Sequence, residues 1–447
     1  LVYAELSTLK QTIATYQDDV EARGQDHLLE KFPKRTLAHW CVIVFAVSFL
    51  ILAVLPETRL NDSDVPNGAE TVRVARSLAS SGTFADPFPL MPTGTTAHVA
   101  PVYPFLYSLV IRMFGTGYTA LRIVWTINLA FFALQMALLP VLSYRLHLGV
   151  LAGIVAAALG TFSLYAPIDT RWESFFAGTL LLVACLLSDR VLQDETITTA
   201  IIAGGLWGVL ILTNPVVVLL LLAWPLCLLL HSRPLSTSYL RRLAIILGLA
   251  MLIVSPWIAR NYQRFGVFIF VRDNLGLELY TGNNSCAAPD LRTNIQSGCH
   301  ATTHPNVNSA IAAQVAAVGE VQFYRAKMYQ ALDWIGSHRA AFLRLTAERL
   351  RLFWFPDANH LWEAILAWIV TLLSIPGLWV IAQKNPCAAC VIGTAWLLFP
   401  LVYYMIPFEP RYRYPIYWTS LLASGCALAA AWQKLRPARP GNLANRL

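Results

Sequence analysis

The chain has 447 residues, 57% of them hydrophobic and 13% charged, against about 25% charged in an ordinary soluble domain. That balance excludes a soluble globular enzyme and predicts an all-α polytopic membrane protein. The formal charge of +8 sits largely in short hydrophilic links and the C-terminal tail, as the positive-inside rule expects, so it implies no nucleic-acid partner.

Residues 1–37 are polar and mixed in charge, without the pattern of a cleavable signal peptide. They are expected to be a cytoplasmic segment, either a partner-binding helix or a solvated tail. The missing initiator Met is expected of a fragment or a processed chain. About ten runs approach the ~20 apolar residues needed to cross a bilayer: 38–56, 119–141, 146–166, 174–190, 198–213, 215–231, 240–258, 361–382, 387–406 and 415–432. The fifth and sixth meet at "TNP", which reads as a kinked helix or a tight hairpin, the hairpin fitting the topology better. With "KFPKR" placed in the cytoplasm, the links "SYRLH", "HSRPLSTSYLRRL" and "AQKNP" and the basic tail 434–447 fall on the same side. Two large loops, 57–118 and 259–360, then face outward, with smaller outer links "APIDTRWES" and "IPFEPRYRYP".

The first outer loop opens on a short helix in which Glu70, Arg73 and Arg76 share one side. Thr71, Val74, Ala75 and Leu78 recur at helical spacing on another. Such a helix is expected to lie on the membrane surface with its charges in water. The following "TAHVAPVYPFLYSLVIRMFG" suits a second interfacial helix. The second loop ends in "ALDWIGSHRAAFLRLTAERLRLFWF", amphipathic with a basic face. Of eight cysteines, only Cys286 and Cys299 lie in an outer loop away from the spans. That location permits a disulfide worth about 3 kcal/mol in the chain-entropy model, and the residues leave open whether it forms. The "CAAC" at Cys387 to Cys390 reads as small residues packing.

Ionisable groups inside spans mark transport pathways, and here the span interiors nearly lack them. Acids and arginines gather at outer helix ends instead: Asp62, Asp64, Glu70, Asp169, Glu173, Glu278 and Glu409, with Arg260, Arg264, Arg272, Arg411 and Arg413. A carboxylate can take a proton from an acceptor hydroxyl or amine, and guanidiniums can hold a departing phosphate. Each group also has a plainer reading. Glu70 can pair with Arg73 at the surface; Asp62 and Asp64 can cap a helix or form a metal-binding D-x-D; "EPRYRYP" can anchor the interface; His98 can be structural.

Four stretches in this order, "GAETVRVARSLASSGTFADPF", "PTGTTAHVAPVYPFLYSLVIRMFG", "SPWIARNYQRFGVFIFVRDNLGLELYTGNN" and "RYRYPI", resemble bacterial membrane glycosyltransferases of the GT-C class. That group includes aminoarabinose transferases and family-39-type protein O-mannosyltransferases. The resemblance covers residues 38–433 and implies a GT-C fold of about ten, or eleven to thirteen, transmembrane helices with juxtamembrane helices in the first outer loop. It implies a polyprenyl-phosphate-linked sugar as donor, a lipid, glycan or protein acceptor, and a bacterial inner-membrane enzyme working on the periplasmic face. The second outer loop, 259–360, would cover the substrate. An acid of the first outer loop is then the base. Matching "VAR" to the better-known members puts Asn67 where they carry Asp, while a subgroup carries "GxET", which Glu70 fits. The base therefore lies between Glu70, preferred for its place on a defined helix, and Asp64. Arg260, Arg411 and Arg413 would bind the donor phosphate. His98, Tyr103, Glu173, Asn274, Glu278 and Asn283 would bind substrate. No cofactor is expected, although Asp62 and Asp64 allow a divalent cation. The rival readings are a lipid-linked substrate transporter or flippase, which should carry an internal repeat and polar spans, and an O-antigen polymerase or ligase.

Overall fold

The computed structural model describes residues 34–54, 69–164, 171–193, 196–231, 237–358 and 361–435. Asp62, Asp64, Asn67 and Asp169, and most of the N-terminal and C-terminal segments, lie outside the described residues. Within them the chain is helical, with eighteen α-helices and no named strand. The membrane-facing part comprises α1 (Lys34–Val54), then, after the first outer loop, α4 (Tyr118–Arg145), α5 (Val150–Phe162), α6 (Ser174–Gln193), α7 (Ile197–Ile211), α8 (Val218–His231) and α9 (Thr237–Phe265). It closes with α16 (Leu361–Lys384), α17 (Pro386–Leu398) and α18 (Tyr414–Leu435). These ten fall on the ten runs read from hydropathy. Four of them, α1, α4, α9 and α16, are long and apolar enough to cross a membrane unaided, and the protein is a multi-pass membrane protein. Helices of 13 to 15 residues such as α5 and α7 rise only about 20 Å and complete the bundle by packing on the longer ones.

The "TNP" junction is a hairpin. The Trp207 ring of α7 meets that of Trp224 in α8 edge to face, centroids 5.5 Å apart; in one continuous helix seventeen residues would separate them by about 25 Å. Asn214 turns the corner, its side chain accepting from the Val216 N–H. At the centre stands α18, in which every residue from Tyr414 to Cys426 is buried. It packs on α5, α6 and α16. With no hydrophobic drive between helices in lipid, close approach and interhelical hydrogen bonds must hold such a helix. Ser424 donates to the Val370 carbonyl at 2.7 Å, and the Tyr417 hydroxyl meets Ser163 Oγ at 2.8 Å. The approach depends on glycine. A Cβ on Gly377 would sit 1.8 Å from the Ala423 carbonyl oxygen, and one on Gly425 2.2 Å from that of Ala152.

Both outer loops are folded. The first contains α2 (Glu70–Ser81) and α3 (Val102–Phe114), which pack together through Val72, Ala75, Tyr103, Tyr107 and Ile111. The second contains α10 (Leu275–Gly282), α11 (Leu291–Gln296), α12 (Cys299–Thr303), α13 (Ser309–Val318), α14 (Glu320–Ser337) and α15 (Arg339–Trp354). The amphipathic run at its end is thus broken at His338 into two helices. Cys286 and Cys299 are joined in a disulfide.

Replacing Gly377 with Ala must push α16 from α18. It is expected to lower the thermal midpoint in detergent by the equivalent of 1–3 kcal/mol or more. Gly248→Ala, in α9 with nothing near its missing Cβ, should leave the midpoint unchanged, and equal midpoints for the two variants would contradict this packing.

Candidate active site

Between the outer ends of α6, α8 and α10 and the link before α18 lies a cleft of about 320 Å³. Its lining mixes two chemistries. Val216, Val218, Leu219, Val402 and Ile406 give apolar surface, while Arg272, Arg411, Glu173, Glu278, Asn274 and His98 give polar and charged surface. Glu409 holds Arg411 in two bonds, from Nε at 2.6 Å and from Nη2 at 2.9 Å. The guanidinium also lies 3.8 Å over the Trp172 ring. A bidentate carboxylate and an aromatic face together fix the plane of the cation. On α10 and the residues before it, Arg272 Nε donates to Asn274 Oδ1 at 2.8 Å and Asn274 Nδ2 to Glu278 Oε1 at 3.2 Å. Burial pushes the Glu278 carboxyl upward, Arg272 opposing and Glu409 reinforcing that shift.

His98 reaches the cleft from the loop between α2 and α3, and the second outer loop pins that loop. The Glu320 carboxylate accepts from the Ala97 N–H at 2.7 Å and from the Thr96 hydroxyl, and the Asp273 N–H donates to the Ala97 carbonyl at 2.9 Å. His98 Nδ1 lies 2.7 Å from the Tyr324 hydroxyl. Burial, and secondarily Arg272, drive its pKa down to about 3, so the imidazole is neutral at working pH.

Glu70 opens α2 but does not face water. It is 7% exposed, accepts a hydrogen bond from Asn306 Nδ2, and has His304 Nε2 3.9 Å from Oε1. The expected surface helix with its charges outward is corrected here: Glu70, Thr71 and Val72 are buried, and Arg73 and Arg76 are half-buried. No ion pair joins Glu70 to Arg73 among the described residues. Burial raises the Glu70 carboxyl to about 7; its own backbone hydrogen bond, Arg411 and Asn306 pull it down, and Glu278 pushes it up. The carboxylate thus shares a field with the cleft's charged wall.

Other candidate residues stand elsewhere. Arg413 is fully buried, donating to the Trp354 carbonyl at 2.9 Å and lying over the Trp354 and Tyr417 rings. It braces α15 to α18 rather than facing a lipid phosphate. Arg260 donates to the carbonyls of Thr96 and Phe84 at 2.8 and 3.1 Å and fixes the His98 loop from behind. The Tyr103 hydroxyl accepts from Asn128 at 2.7 Å, tying α3 to α4. Asn283 donates to the Leu279 and Met405 carbonyls and accepts from Arg349. In each case a backbone or side-chain partner has taken the polar group that looked available for substrate. Glu173, Asn274, Glu278, His98 and Arg411 do line the cleft, as does Arg272, which was only a general basic candidate. His304, Asn306 and Tyr324 were missed; "CHATTHPN" beside a cysteine was the one signal. No three His, Cys, Asp or Glu side chains among the described residues are grouped to hold a metal ion, and Asp62 and Asp64 lie outside them.

The apo oligosaccharyltransferase of Archaeoglobus fulgidus is similar to this structure, with a TM-score of 0.53 and 14% identity over 92% of this chain and 52% of that one. The same enzyme tethered to an acceptor peptide containing the NVT sequon gives 0.52 and 14%, over 91% and 50%. The chain has the GT-C fold. It spans about half the length of that oligosaccharyltransferase. ArnT from Cupriavidus metallidurans bound to undecaprenyl phosphate gives a TM-score of 0.40 and 16% identity, over 90% of this chain and 82% of that one. No family model matches the sequence, and no curated protein does. Glu70 of α2 is not part of the cleft lining but interacts electrostatically with Glu278 and Arg411, which are.

A carboxyl raised from 4.5 to about 7 by burial is neutral in both folded and unfolded chains below pH 4.5. Its burial lowers stability progressively as pH rises from there through 7. Glu70→Gln is therefore expected to melt with the wild type at pH 4 and to be more stable by about 3 kcal/mol at pH 8. Parallel melting curves across that range would show a carboxyl with no such shift.

Proposed function

We propose that the protein is a membrane glycosyltransferase that takes a sugar from a polyprenyl-phosphate donor and passes it to a hydroxyl or amine of a lipid, glycan or protein acceptor. The observation that carries this reading is the lining of the cleft, which offers two guanidiniums together with apolar side chains. A donor with a charged phosphate head and a long hydrocarbon tail calls for both. The GT-C fold, common to membrane glycosyltransferases, supports the class. The basic links on the opposite side support a cleft that opens on the periplasmic face of a bacterial inner membrane.

The chemistry is a single displacement at the anomeric carbon. Glu70, ionised, takes the proton of the acceptor nucleophile as it attacks. The bond from the anomeric carbon to the phosphate oxygen breaks with inversion, and its electron pair leaves on the phosphate. Arg411 and Arg272 receive the added negative charge. Glu409 takes two of the five N–H donors of Arg411 and keeps the others aimed without a reorganisation cost. Glu278 and Asn274 offer an acceptor and a donor to sugar hydroxyls, and Glu173, of the same lining, orients the acceptor. A divalent ion held by Asp62 and Asp64 is not required by this scheme.

The test is a transfer assay in nanodiscs with a panel of polyprenyl-phosphate sugars, with and without chelator. Wild type should release polyprenyl phosphate in both conditions. Glu70→Gln should lose 10²–10⁴-fold in kcat, and Arg411→Ala about 10²-fold or more in kcat/KM. Equal turnover by Glu70→Gln would move the base to another acid. Lipid binding without turnover of any donor would favour the transporter reading.

A further inference from the structure

Glu70 is held by residues 236 positions away in sequence, on a segment that is fixed at both ends. On one side the Cys286–Cys299 disulfide ties the start of α12 to the chain after α10. On the other, Asn308 caps α13 by accepting from the Ile311 N–H at 3.1 Å, while its Nδ2 donates back to the Ala301 carbonyl at 2.8 Å. The residues between, 304–307, cross over Glu70. Asn306 contributes twice. Its Nδ2 donates to Glu70 Oε1, and its backbone N–H donates to His304 Nδ1 at 3.2 Å. With Nδ1 accepting, a neutral His304 carries its proton on Nε2, the nitrogen 3.9 Å from the same carboxylate oxygen. His304 is 2% exposed and stacks on His300 with centroids 4.7 Å apart; burial, with His300 and His98 nearby, keeps it neutral. Two N–H groups from one segment therefore converge on one oxygen of Glu70.

We propose that Asn306, with His304 set by its backbone, is the positioning residue of Glu70: the disulfide-tied segment holds the carboxylate ionised and aimed until the acceptor arrives. This rests on the reading of Glu70 as the base. The groups facing Glu70 from other elements are Glu278 of α10, Arg411 of the link before α18, Tyr324 of α14 and His304. The two histidines are neutral, and Glu278 and Arg411 act in opposite senses on Glu70. Asn306 is the uncharged donor bonded to it, so its loss is read directly.

The variants are Asn306→Leu, which keeps the shape and removes the donor, and Asn306→Ala. A hydrogen bond to the charged form lowers a carboxyl's pKa. Losing it is expected to move the acidic limb of kcat/KM upward by about one pH unit, with kcat at high pH largely retained. The second readout needs no turnover: the stability gap between each variant and its Glu70→Gln double mutant opens at the unfolded-state pKa and stops widening at the folded-state one, so the pH at which the gap levels off should move up by the same amount. A merely structural Asn306 would lower the melting point at every pH and move neither the limb nor that levelling point, which would overturn the proposal. Should no donor be turned over, the base reading fails, while an unmoved levelling point alone sinks the contact between Asn306 and Glu70. The two failures are thus separate.

Discussion

Charged groups taken out of water near a bilayer must be met by partners, and around this cleft several of those partners come from distant parts of the chain. Glu70 of the first outer loop is met by Asn306 of the second. Glu320 of the second is met by Thr96 and Ala97 of the first. Arg349 of α15, buried to 0% exposure, donates to the Gly282 carbonyl, to Asn283 and to the Met405 carbonyl at 3.1 Å. An unmet charge at these depths costs several kcal/mol. The two outer loops consequently cannot adopt their folds independently. Each supplies counter-groups for the other's buried polar side chains, and His98 of the first loop joins Arg272, Asn274 and Glu278 of the second in the cleft lining.

That constraint explains which parts of the protein were legible in its sequence. Spanning helices are specified by composition over some twenty neighbouring residues, so all ten runs became helices, and Asn214 with Pro215 marked the hairpin between α7 and α8. The acid at position 70 and the guanidinium at 411 were also visible, because charge at an outer helix end is conspicuous in so apolar a chain. Partnership was not visible. Arg411 and Arg413 stand two residues apart in "RYRYP", yet one lies in the cleft wall and the other is sealed between Trp354 and Tyr417. Arg260 and Asn283 read as available for the same reason. A sequence reports that a donor exists and is silent on which carbonyl has taken it. His304 and Asn306 were passed over for the converse reason: nothing local to "THPN" reveals that a carboxylate lies beneath it.

The composition of the cleft also bears on the rival readings. A transporter must pass its cargo between two membrane faces, and polar groups in the spans would line that path. Here the cleft's charged side chains lie at helix ends on one face, and close glycine contacts seat α16 and α5 against the central α18. The Arg411–Glu409 pair argues the same way. A cation whose plane is set by a carboxylate and by Trp172 suits charge that develops at one fixed point, as in a bond-breaking step. Cargo that binds, moves and leaves would be served better by a mobile cation.

The same dryness that makes Glu70 costly to bury makes it useful. In water a glutamate is a weak base, ionised at neutral pH but with little drive to take a proton from a hydroxyl. Raised to about 7, it stands where the ionised fraction and the affinity for a proton are both substantial, which is where general bases are most effective. Raised further it would sit protonated and idle. Arg411 and Asn306 are the groups from other elements that pull it down, one from the link before α18 and the other from the segment between α12 and α13. The base strength of Glu70 is therefore a property of the assembled loops rather than of α2, and any rearrangement that lifts the 304–307 segment changes basicity and access together.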